Sequence, residues 1–425
     1  MAELQNFITT FVDEYDTTET DSVLFAIKSK FNELGNVDVN WKNEWSDLYI
    51  MNVSNKSNLN SPFVRKCNGT IFDQNTHKIV CYSFPVFLDE TEMPLPLPEG
   101  KINMESMYDG TLMKLFFHPS TGKWETATVK CFDASKSRWS SLKSFHDLFV
   151  EAVGKDFNYA GLDRNKCYIG ILIHPENKLV TDYYNGTENS FKTPMFVHTG
   201  TCNLETLEFE NDYEKMNSNT VIRPEKFEFD NVEEMKRVLA DNVGQPIRPG
   251  FVYFDPVSGE RYKFMSPRYT EFKTLRGNIQ NMKYRLLEMQ GNNAVINKFL
   301  ESFPEYKKLN TEVEQDVAKL ATNVFRNYSN YYFKHLKDKR MPSEIFEIVK
   351  AVNWKYKEDL EKVGGDKSRV PTNPETIAYF LVTRYPFEHL ANVLGYYQNN
   401  NHRPSIKPTV RNVGRKRANP GERGK

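Results

Sequence analysis

The spacing of apolar residues changes once along this 425-residue chain, near Tyr269, and that change limits the fold more than any other feature. Before it, short runs rich in β-branched and aromatic residues alternate with turn residues, as in 78–82 and 112–117, which predicts an antiparallel sheet. After it, apolar residues recur every three or four positions, which predicts helices. The sequence therefore predicts an α+β domain followed by an all-helical domain.

Four segments follow from the order of these elements. The chain is long enough to bury two or three cores. Pro304, Pro342 and Pro371 interrupt the helical periodicity and predict helix ends. The predicted segments are an N-terminal entry segment (1–60), the α+β domain (61–280), the helical domain (281–398) and a basic, disordered tail (399–425).

Several element boundaries can be predicted individually. Apolar spacing over 139–153 predicts a helix capped at Ser140 or Ser141. The run 179–183 predicts a strand. Five helices are predicted after Tyr269, over 282–289, 294–303, 313–336, 343–362 and 374–397.

Charge is balanced over the whole chain but not along it. Lys plus Arg and Asp plus Glu each number 56, which argues against a protein that coats nucleic acid or an anionic membrane along its length. Residues 401–425 hold eight Lys or Arg against Glu422 alone, so this tail carries +7 and the remainder −7. Its cations, Arg415, Lys416 and Arg417 among them, predict either direct RNA contact or a solvated, nuclear-targeting tail.

Cysteine and histidine usage bounds the compartment and the metal chemistry. The five cysteines, Cys67, Cys81, Cys131, Cys167 and Cys202, are odd in number and widely spaced, which predicts reduced thiols in a cytoplasmic or nuclear protein. The eight histidines show no ligand spacing, so no zinc or other metal site is predicted. No run approaches the ~18 apolar residues of a membrane span, so no membrane partner is predicted.

Residues 106–112, with the sequence SMYDGTL, carry the feature most relevant to function. In covalent nucleotidyltransferases a lysine two residues before an Asp-Gly pair attacks the α-phosphate of ATP or GTP. Here the pair is Asp109 and Gly110, and the residue two positions before Asp109 is Met107. A thioether cannot form a phosphoramidate, so the segment has the shape of that active site without its nucleophile.

Further segments match the same kind of enzyme in the same order. They are 65–73 with 78–87, then 108–117, then 168–180, and finally 249–252 with 261–266. Together they resemble the phage-type RNA ligase 1 family of covalent nucleotidyltransferases, over roughly residues 60–280. The resemblance implies an antiparallel-sheet, ATP-grasp-like RNA ligase domain before a helical C-terminal domain. It also implies RNA as the partner and, in an active enzyme, ATP and Mg²⁺ as cofactors.

Most charged positions of that family pattern are replaced. The chemistry needs a deprotonated lysine, glutamates for the ribose and Mg²⁺, and late lysines for the triphosphate. By resemblance, Met107 replaces the nucleophile and Met265 replaces the second late lysine. Ile171 and Pro249 replace two glutamates. The residues that persist, and that the resemblance assigns to nucleotide binding, are Asp109, Gly110 and Lys263.

Other lysines remain as alternatives. Residues 66–69 (KCNG) fit a looser form of the nucleophile motif and make Lys66 a candidate, with a solvated lysine at a strand entry as the alternative. Lys114 is a second candidate, but it shares the face of Asp109 only if a β-bulge intervenes. Lys130, on the neighbouring strand, is a candidate phosphate-binding cation. For Lys114 and Lys130 the alternative is an ordinary exposed strand lysine.

Three further residues are candidates for ligand contact. Arg138 and Trp139 lie among serines in 135–141, a combination that suits clamping a phosphate and stacking a base of RNA. Alternatively, this segment only caps the following helix. His174, at a strand end, is a candidate for a hydrogen bond to a nucleotide, with a structural histidine as the alternative.

The sequence thus supports three hypotheses. The first is an RNA ligase-like protein that engages RNA, such as RNA ends, with a degenerate pocket and weak or no ligase activity. The second is an active ATP-dependent RNA ligase that uses Lys66 or Lys114. The third is a non-catalytic structural protein. The motif variants and the Asn-rich composition suggest a large DNA virus, and therefore a viral protein in the host cytoplasm or nucleus.

Overall fold

A computed structural model describes residues 2–15, 19–41, 47–93, 101–188, 190–210, 216, 220–241, 246–336 and 341–397. The chain divides into two compact units, 1–278 and 279–425. The segment 1–60 supplies two helices and two strands to the first unit. Among the described residues, no helix is both long and apolar enough to cross a bilayer.

The first unit combines helices with three sheets. Its strands are β1 (Asp38–Trp41), β2 (Leu48–Asn52), β3 (Ile71–Asp73), β4 (Ile79–Cys81), β5 (Leu88–Asp89), β6 (Ile102–Ser106), β7 (Thr111–His118), β8 (Lys123–Thr128), β9 (Lys166–Ile173), β10 (Met195–Asn203), β11 (Glu208–Glu210), β12 (Val221–Ile222), β13 (Lys226–Phe229), β14 (Gly250–Phe254) and β15 (Arg261–Met265). Its helices are α1 (Ala2–Asp13), α2 (Thr20–Gly35), α3 (Pro62–Lys66), α4 (Phe145–Val153), α5 (Val232–Ala240) and α6 (Pro267–Arg276).

The strands form one meander and two more complex sheets. Sheet one has the order β1-β2-β3-β4, with antiparallel pairing throughout. Sheet two has the order β11-β10-β9-β7-β8, and β12 pairs with β10 in parallel. Sheet three has the order β13-β6-β14-β15-β5, and β5 pairs with β15 in parallel. The predicted mixture of helices and largely antiparallel strands is confirmed, but it is distributed over three sheets.

Helices cover a face of each sheet. Residues of α1 and α2 share a core cluster with sheet one, where Phe31 and Tyr49 are fully buried. Helix α4 packs on sheet two, with the ring of Phe149 edge-on to Phe196 at 5.1 Å between centroids. Helix α5 covers sheet three through Met235. Sheet two is buried on both faces, because Leu115 of β7 belongs to the α4 cluster and its neighbour Phe116 belongs to the cluster of sheet one.

Helix α4 is capped at a different serine from those predicted. The Ser144 hydroxyl accepts the N–H of Asp147 at 3.1 Å, and the Asp147 carboxylate accepts the N–H of Ser144 at 2.9 Å, forming a capping box. The hydroxyls of Ser140 and Ser141 instead donate to Glu176. The predicted cap at Ser140 or Ser141 is therefore wrong, because only Ser144 has an acidic residue at the third helical position.

Two other predicted elements differ from the structure. The strand predicted over 179–183 is absent, and residues 178–184 form an irregular loop and turn. The helix predicted over 374–397 is interrupted near Pro386, whose backbone nitrogen carries no hydrogen for a helical bond.

In the described part of the second unit, the regular elements are helices. They are α7 (Met282–Met289), α8 (Asn293–Ser302), α9 (Lys307–Tyr328), α10 (Ser343–Lys362), α11 (Pro374–Thr383) and α12 (Phe387–Val393). Helix α9 contacts α7, α10 and α11 through a stripe that includes Val313, Val317 and Val324. A π-helical turn, Ser329–Phe333, follows it directly.

Candidate functional site

The segment 107–110 crosses from sheet three to sheet two. Ser106, the last residue of β6, pairs with Phe251 in sheet three. Thr111, the first residue of β7, pairs with Leu172 in sheet two. We call residues 107–114 the crossover segment, since they include this connection and the first half of β7.

Each end of the crossover segment forms a hydrogen bond with another of the segments that resemble the RNA ligase 1 family. The backbone N–H of Met107 donates to the carbonyl of Gly250 at 2.9 Å. The amine of Lys114 donates to the carbonyl of Gly69. Two stretches far apart in sequence, 65–73 and 249–266, are therefore both neighbours of the crossover segment.

Asp109 bonds the crossover segment to two further elements. Its Oδ2 accepts the backbone N–H groups of Val180 and Thr181 at 2.7 and 2.8 Å, and its Oδ1 accepts the Tyr269 hydroxyl at 2.7 Å. Its own N–H donates to the Tyr183 hydroxyl at 2.7 Å. Asp109 is only 9% exposed. Both carboxylate oxygens are thus engaged inside the unit, where they hold the 178–184 loop and α6.

The two tyrosines of this network were not found from the sequence. Burial, reinforced by the Asp109 carboxylate, raises the pKa of Tyr269 and of Tyr183 well above the usual value of a phenol. Tyr269 therefore stays a hydrogen-bond donor. It lies 160 residues from Asp109, and no local pattern connects the two.

Gly110 is required by the close approach of the crossover segment to β9. A Cβ atom at this position would lie 2.4 Å from the carbonyl oxygen of Leu172 and 2.7 Å from Cγ2 of Ile171. Ile171 occupies a position where the family resemblance expects a glutamate. Packing alone accounts for this glycine, and its assignment to nucleotide binding stays a prediction.

Three of the four replaced positions adjoin Gly250. Met107 donates its N–H to the Gly250 carbonyl, Pro249 precedes Gly250, and Met265 is its register partner on β15. These three side chains are buried or half-buried. At each of these three backbone-adjacent positions, which we call the apolar patch, an apolar residue replaces the nucleophile, acid or cation that the family resemblance expects.

Lys114 is fully buried, with 0% exposure. On β7 it pairs with Ala127 and Ile169, and its amine contacts the Gly69 carbonyl. Burial lowers the pKa of this amine, which favours the deprotonated form that a nucleophile needs. Because the side chain has no exposed surface, a nucleotide cannot contact this amine in the present structure.

Lys66 lies at the end of α3 rather than at a strand entry. Its amine is 2.7 Å from Oε2 of Glu3 on α1, and its side chain is 23% exposed. The hydrogen bond to Lys66 lowers the pKa of Glu3. Lys66 therefore has an acidic partner on α1 in place of a ligand.

The two candidate phosphate-binding lysines also have protein partners. Lys130 follows β8 in a turn and is not on the strand, because β8 ends at Thr128. Its amine donates to the Val53 carbonyl, and burial lowers its pKa. Lys263, on β15, is 3.3 Å from Oδ1 of Asp89, its register partner on β5.

The segment around Arg138 and Trp139 is half exposed. Arg138 is exposed, and its guanidinium donates to the Leu142 carbonyl at 3.3 Å. Trp139 packs against the core beneath α4. This geometry leaves Arg138 accessible to a phosphate, whereas the ring of Trp139 is partly used in packing.

His174 is a buried member of a small polar network. It is 3% exposed, its Nδ1 accepts the N–H of Glu176 at 3.1 Å, and its Nε2 lies 3.1 Å from Oε2 of Glu151. Burial lowers its pKa, and Glu151 partly opposes that change. The neutral imidazole, with its proton on Nε2, satisfies both contacts.

Two buried histidines, His77 and His174, predict a loss of stability in mild acid. Burial also lowers the pKa of His77, so the unfolded chain binds more protons than the folded chain just below the ordinary histidine pKa of 6.5. We expect the free energy of unfolding to be highest above pH 6.5. It should decrease as the pH falls below 6.5 towards the lower pKa values that these histidines have in the folded chain. Urea unfolding at about pH 7.5 and about pH 5.5 measures the difference.

The double variant His77→Gln/His174→Gln should show a smaller difference between the two pH values. His335→Asn is a matched control, because His335 is exposed and asparagine tolerates its left-handed backbone. An unchanged pH dependence in the double variant would contradict the assignment.

The basic tail and the metal chemistry complete the predicted site. Arg415, Lys416 and Arg417 lie outside the described residues, so their RNA contact stays a prediction. Within the described ranges, no group of three or more His, Cys, Asp or Glu is placed to hold a metal ion. Met107, Pro249 and Met265 carry no oxygen ligand for Mg²⁺, so these three residues do not fit a protein-bound Mg²⁺, and the nearby Glu225 carboxylate lies 3.7 Å from the Arg248 guanidinium.

No protein-family model matches the chain. Two curated viral proteins are similar to it. The "Immediate-early protein ICP-46 homolog" of Invertebrate iridescent virus 6 is 26% identical over 286 residues, which cover 60% of this chain and 58% of that protein. The protein of the same name from Invertebrate iridescent virus 3 is 21% identical over 301 residues, covering 66% and 63%. The chain thus matches about three fifths of the length of these relatives.

Solved structures with a similar arrangement include two ligases. An archaeal ATP-dependent RNA ligase has a TM-score of 0.42 at 10% identity, covering 71% of this chain and 83% of that chain. A putative ATP-dependent DNA ligase from Aquifex aeolicus has a TM-score of 0.41 at 13% identity, covering 69% and 77%. Likeness of this kind assigns no activity, which depends on the site residues.

Proposed function

We propose that the first unit is an RNA ligase-like nucleotidyltransferase fold that engages RNA without forming a lysyl-nucleotide. One observation carries the proposal: segments 65–73, 168–180 and 249–266 all contact the crossover segment, in the way that parts of one active site would. These are the segments whose order resembles the RNA ligase 1 family. Their convergence around residues 107–114 supports a retained site framework.

The absence of standard chemistry follows from the side chains in that framework. Transfer of a nucleotide needs cations and a metal where charge develops on the leaving pyrophosphate. The patch around Gly250 offers Met107, Pro249 and Met265 instead. The amine of Lys114 is buried and donates to the Gly69 carbonyl, and that of Lys66 is ion-paired with Glu3, so each already has a protein partner.

RNA engagement is supported by charge. The tail 401–425 carries +7 on an otherwise acidic chain, and each phosphate that a cation neutralises adds salt-dependent affinity. Both curated relatives belong to iridescent viruses and are named immediate-early proteins. We therefore also propose that this chain is a viral protein that acts early, in the host cytoplasm or nucleus.

RNA binding by the full chain tests this proposal. We expect the full chain to shift a labelled single-stranded RNA at low salt, and a chain ending at residue 400 to bind at least about tenfold more weakly. A chain with the tail residues in scrambled order is the matched control and should bind like the original. If the full chain binds no RNA at low salt, the proposal fails and the structural-protein hypothesis takes its place.

A further inference from the structure

One face of α9 borders a shallow groove of about 470 Å³ in the second unit. Gln315, Lys319, Thr322 and Arg326 follow one another at spacings of four, three and four residues, so they share one side of the helix. That side is opposite the buried stripe of α9. The residues that line the groove are Gln315, Ala318, Lys319, Thr322, Asn323 and Arg326.

This face combines cations with hydrogen-bonding groups. Its six lining residues include two cations and no acid. Lys319 is 74% exposed, and its amine lies 3.5 Å from Oδ1 of Asp316. An exposed ion pair of this kind contributes little to stability. Arg326 donates to Oδ1 of Asn323 at 2.9 Å, which orients its guanidinium and uses one of its five donor hydrogens. Both cations therefore remain available to an anionic ligand.

Aromatic rings lie beyond the end of α9, on the side of its buried stripe. The chain passes into the π-helical turn Ser329–Phe333, a distortion that is often found at functional sites. Phe333 is 58% exposed, and one side of its ring packs edge-on against buried Tyr328 with 5.5 Å between the centroids. Next to it, the half-buried rings of Tyr331 and Tyr332 pack against each other at 4.9 Å. An exposed ring beside a packed pair forms a surface on which a planar group can stack.

We infer that this face binds single-stranded RNA. Cations that track a phosphate backbone, beside an aromatic ring that stacks bases, are the two parts of a sequence-tolerant site for single strands. Lys319 and Arg326 contact phosphates, and Phe333 stacks a base. Thr322 and Asn323 supply uncharged hydrogen bonds to the backbone. The inference rests on the proposed RNA engagement and adds a contact in the second unit that is separate from the basic tail.

Photocrosslinking on the full chain tests the inference directly. A single-stranded RNA that contains 4-thiouridine should crosslink to the tryptic peptide 327–334, which contains Phe333. The variant Lys319→Glu/Arg326→Glu should bind about tenfold more weakly, and the slope of log affinity against log salt should fall by about 1.4, at about 0.7 for each lost phosphate contact. Phe333→Ala should lose most of the crosslink at this peptide.

The matched control is Lys357→Glu/Lys367→Glu, which makes the same charge change at exposed lysines of the same unit. If RNA binds but crosslinks only outside 327–334, and both double variants bind alike, the inference is wrong while the proposed function stands. If no RNA binds at all, both fail. Competition by polyglutamate as strong as by RNA would also overturn the inference, in favour of an acidic protein partner.

Discussion

Replacing Asp109 by alanine is expected to lower the free energy of unfolding of the first unit by about 3–5 kcal/mol. The change leaves the N–H groups of Val180 and Thr181 and the hydroxyl of Tyr269 buried without their acceptor. Urea unfolding measures the loss. Hydrogen exchange should show it locally, because the amides of residues 178–184 lose the carboxylate that holds them.

Asp109→Asn should be milder, at about 1–2 kcal/mol, because the amide keeps the size of the side chain and one acceptor oxygen. Asp156→Ala is a matched control at an exposed position and should change stability by less than about 0.5 kcal/mol. If Asp109→Ala had the same free energy of unfolding as the original protein, the carboxylate would not stabilise the fold. A role in binding a ligand would then be favoured.

The second large effect is expected at Lys114. Lys114→Ala removes a fully buried four-carbon stem and should lower the free energy of unfolding by about 2–4 kcal/mol through the cavity it leaves. Lys114→Met fills nearly the same volume without a buried amine, so its effect should stay within about 1.5 kcal/mol. Urea unfolding of the two variants side by side measures this difference.

This pair of substitutions separates packing from chemistry. If Lys114 is a packing residue, the methionine variant should match the original protein in stability and in RNA binding. A methionine variant that folds normally but loses a nucleotide-dependent activity would instead support the hypothesis of an active ligase.

The sequence predicts elements well where one local signal dominates. The bounds of α7 and α10 agree with the prediction, because apolar periodicity and flanking turn residues coincide there. It fails where two local signals compete. Ser140, Ser141 and Ser144 are all suitable caps, and only the carboxylate of Asp147 selects Ser144.

Long-range contacts could not be predicted from local patterns. The run 179–183 has the composition of a strand. The backbone N–H groups of Val180 and Thr181, however, donate to the Asp109 carboxylate instead of to a neighbouring strand. Likewise, the apolar pattern identifies strands but does not say that they divide among three sheets. Which strands pair depends on contacts between residues far apart in sequence.

For the candidate site, the motif identified the crossover segment but not its internal partners. The sequence shows that Met107 occupies the position of the nucleophile. The structure adds that Met107, Pro249 and Met265 adjoin Gly250. Nothing in the sequence indicates that Lys114 is buried, because a strand with one covered face and a strand buried on both faces can share the same residues.

Covalent labelling tests the central claim most directly. The protein is incubated with α-phosphate-labelled ATP or GTP and Mg²⁺ or Mn²⁺, then separated on a denaturing gel alongside Lys66→Ala and Lys114→Met. The proposed fold with its apolar patch predicts that no label survives denaturation in any of the three proteins. A label on the original protein that survives, and that disappears in one of the two variants, would contradict it.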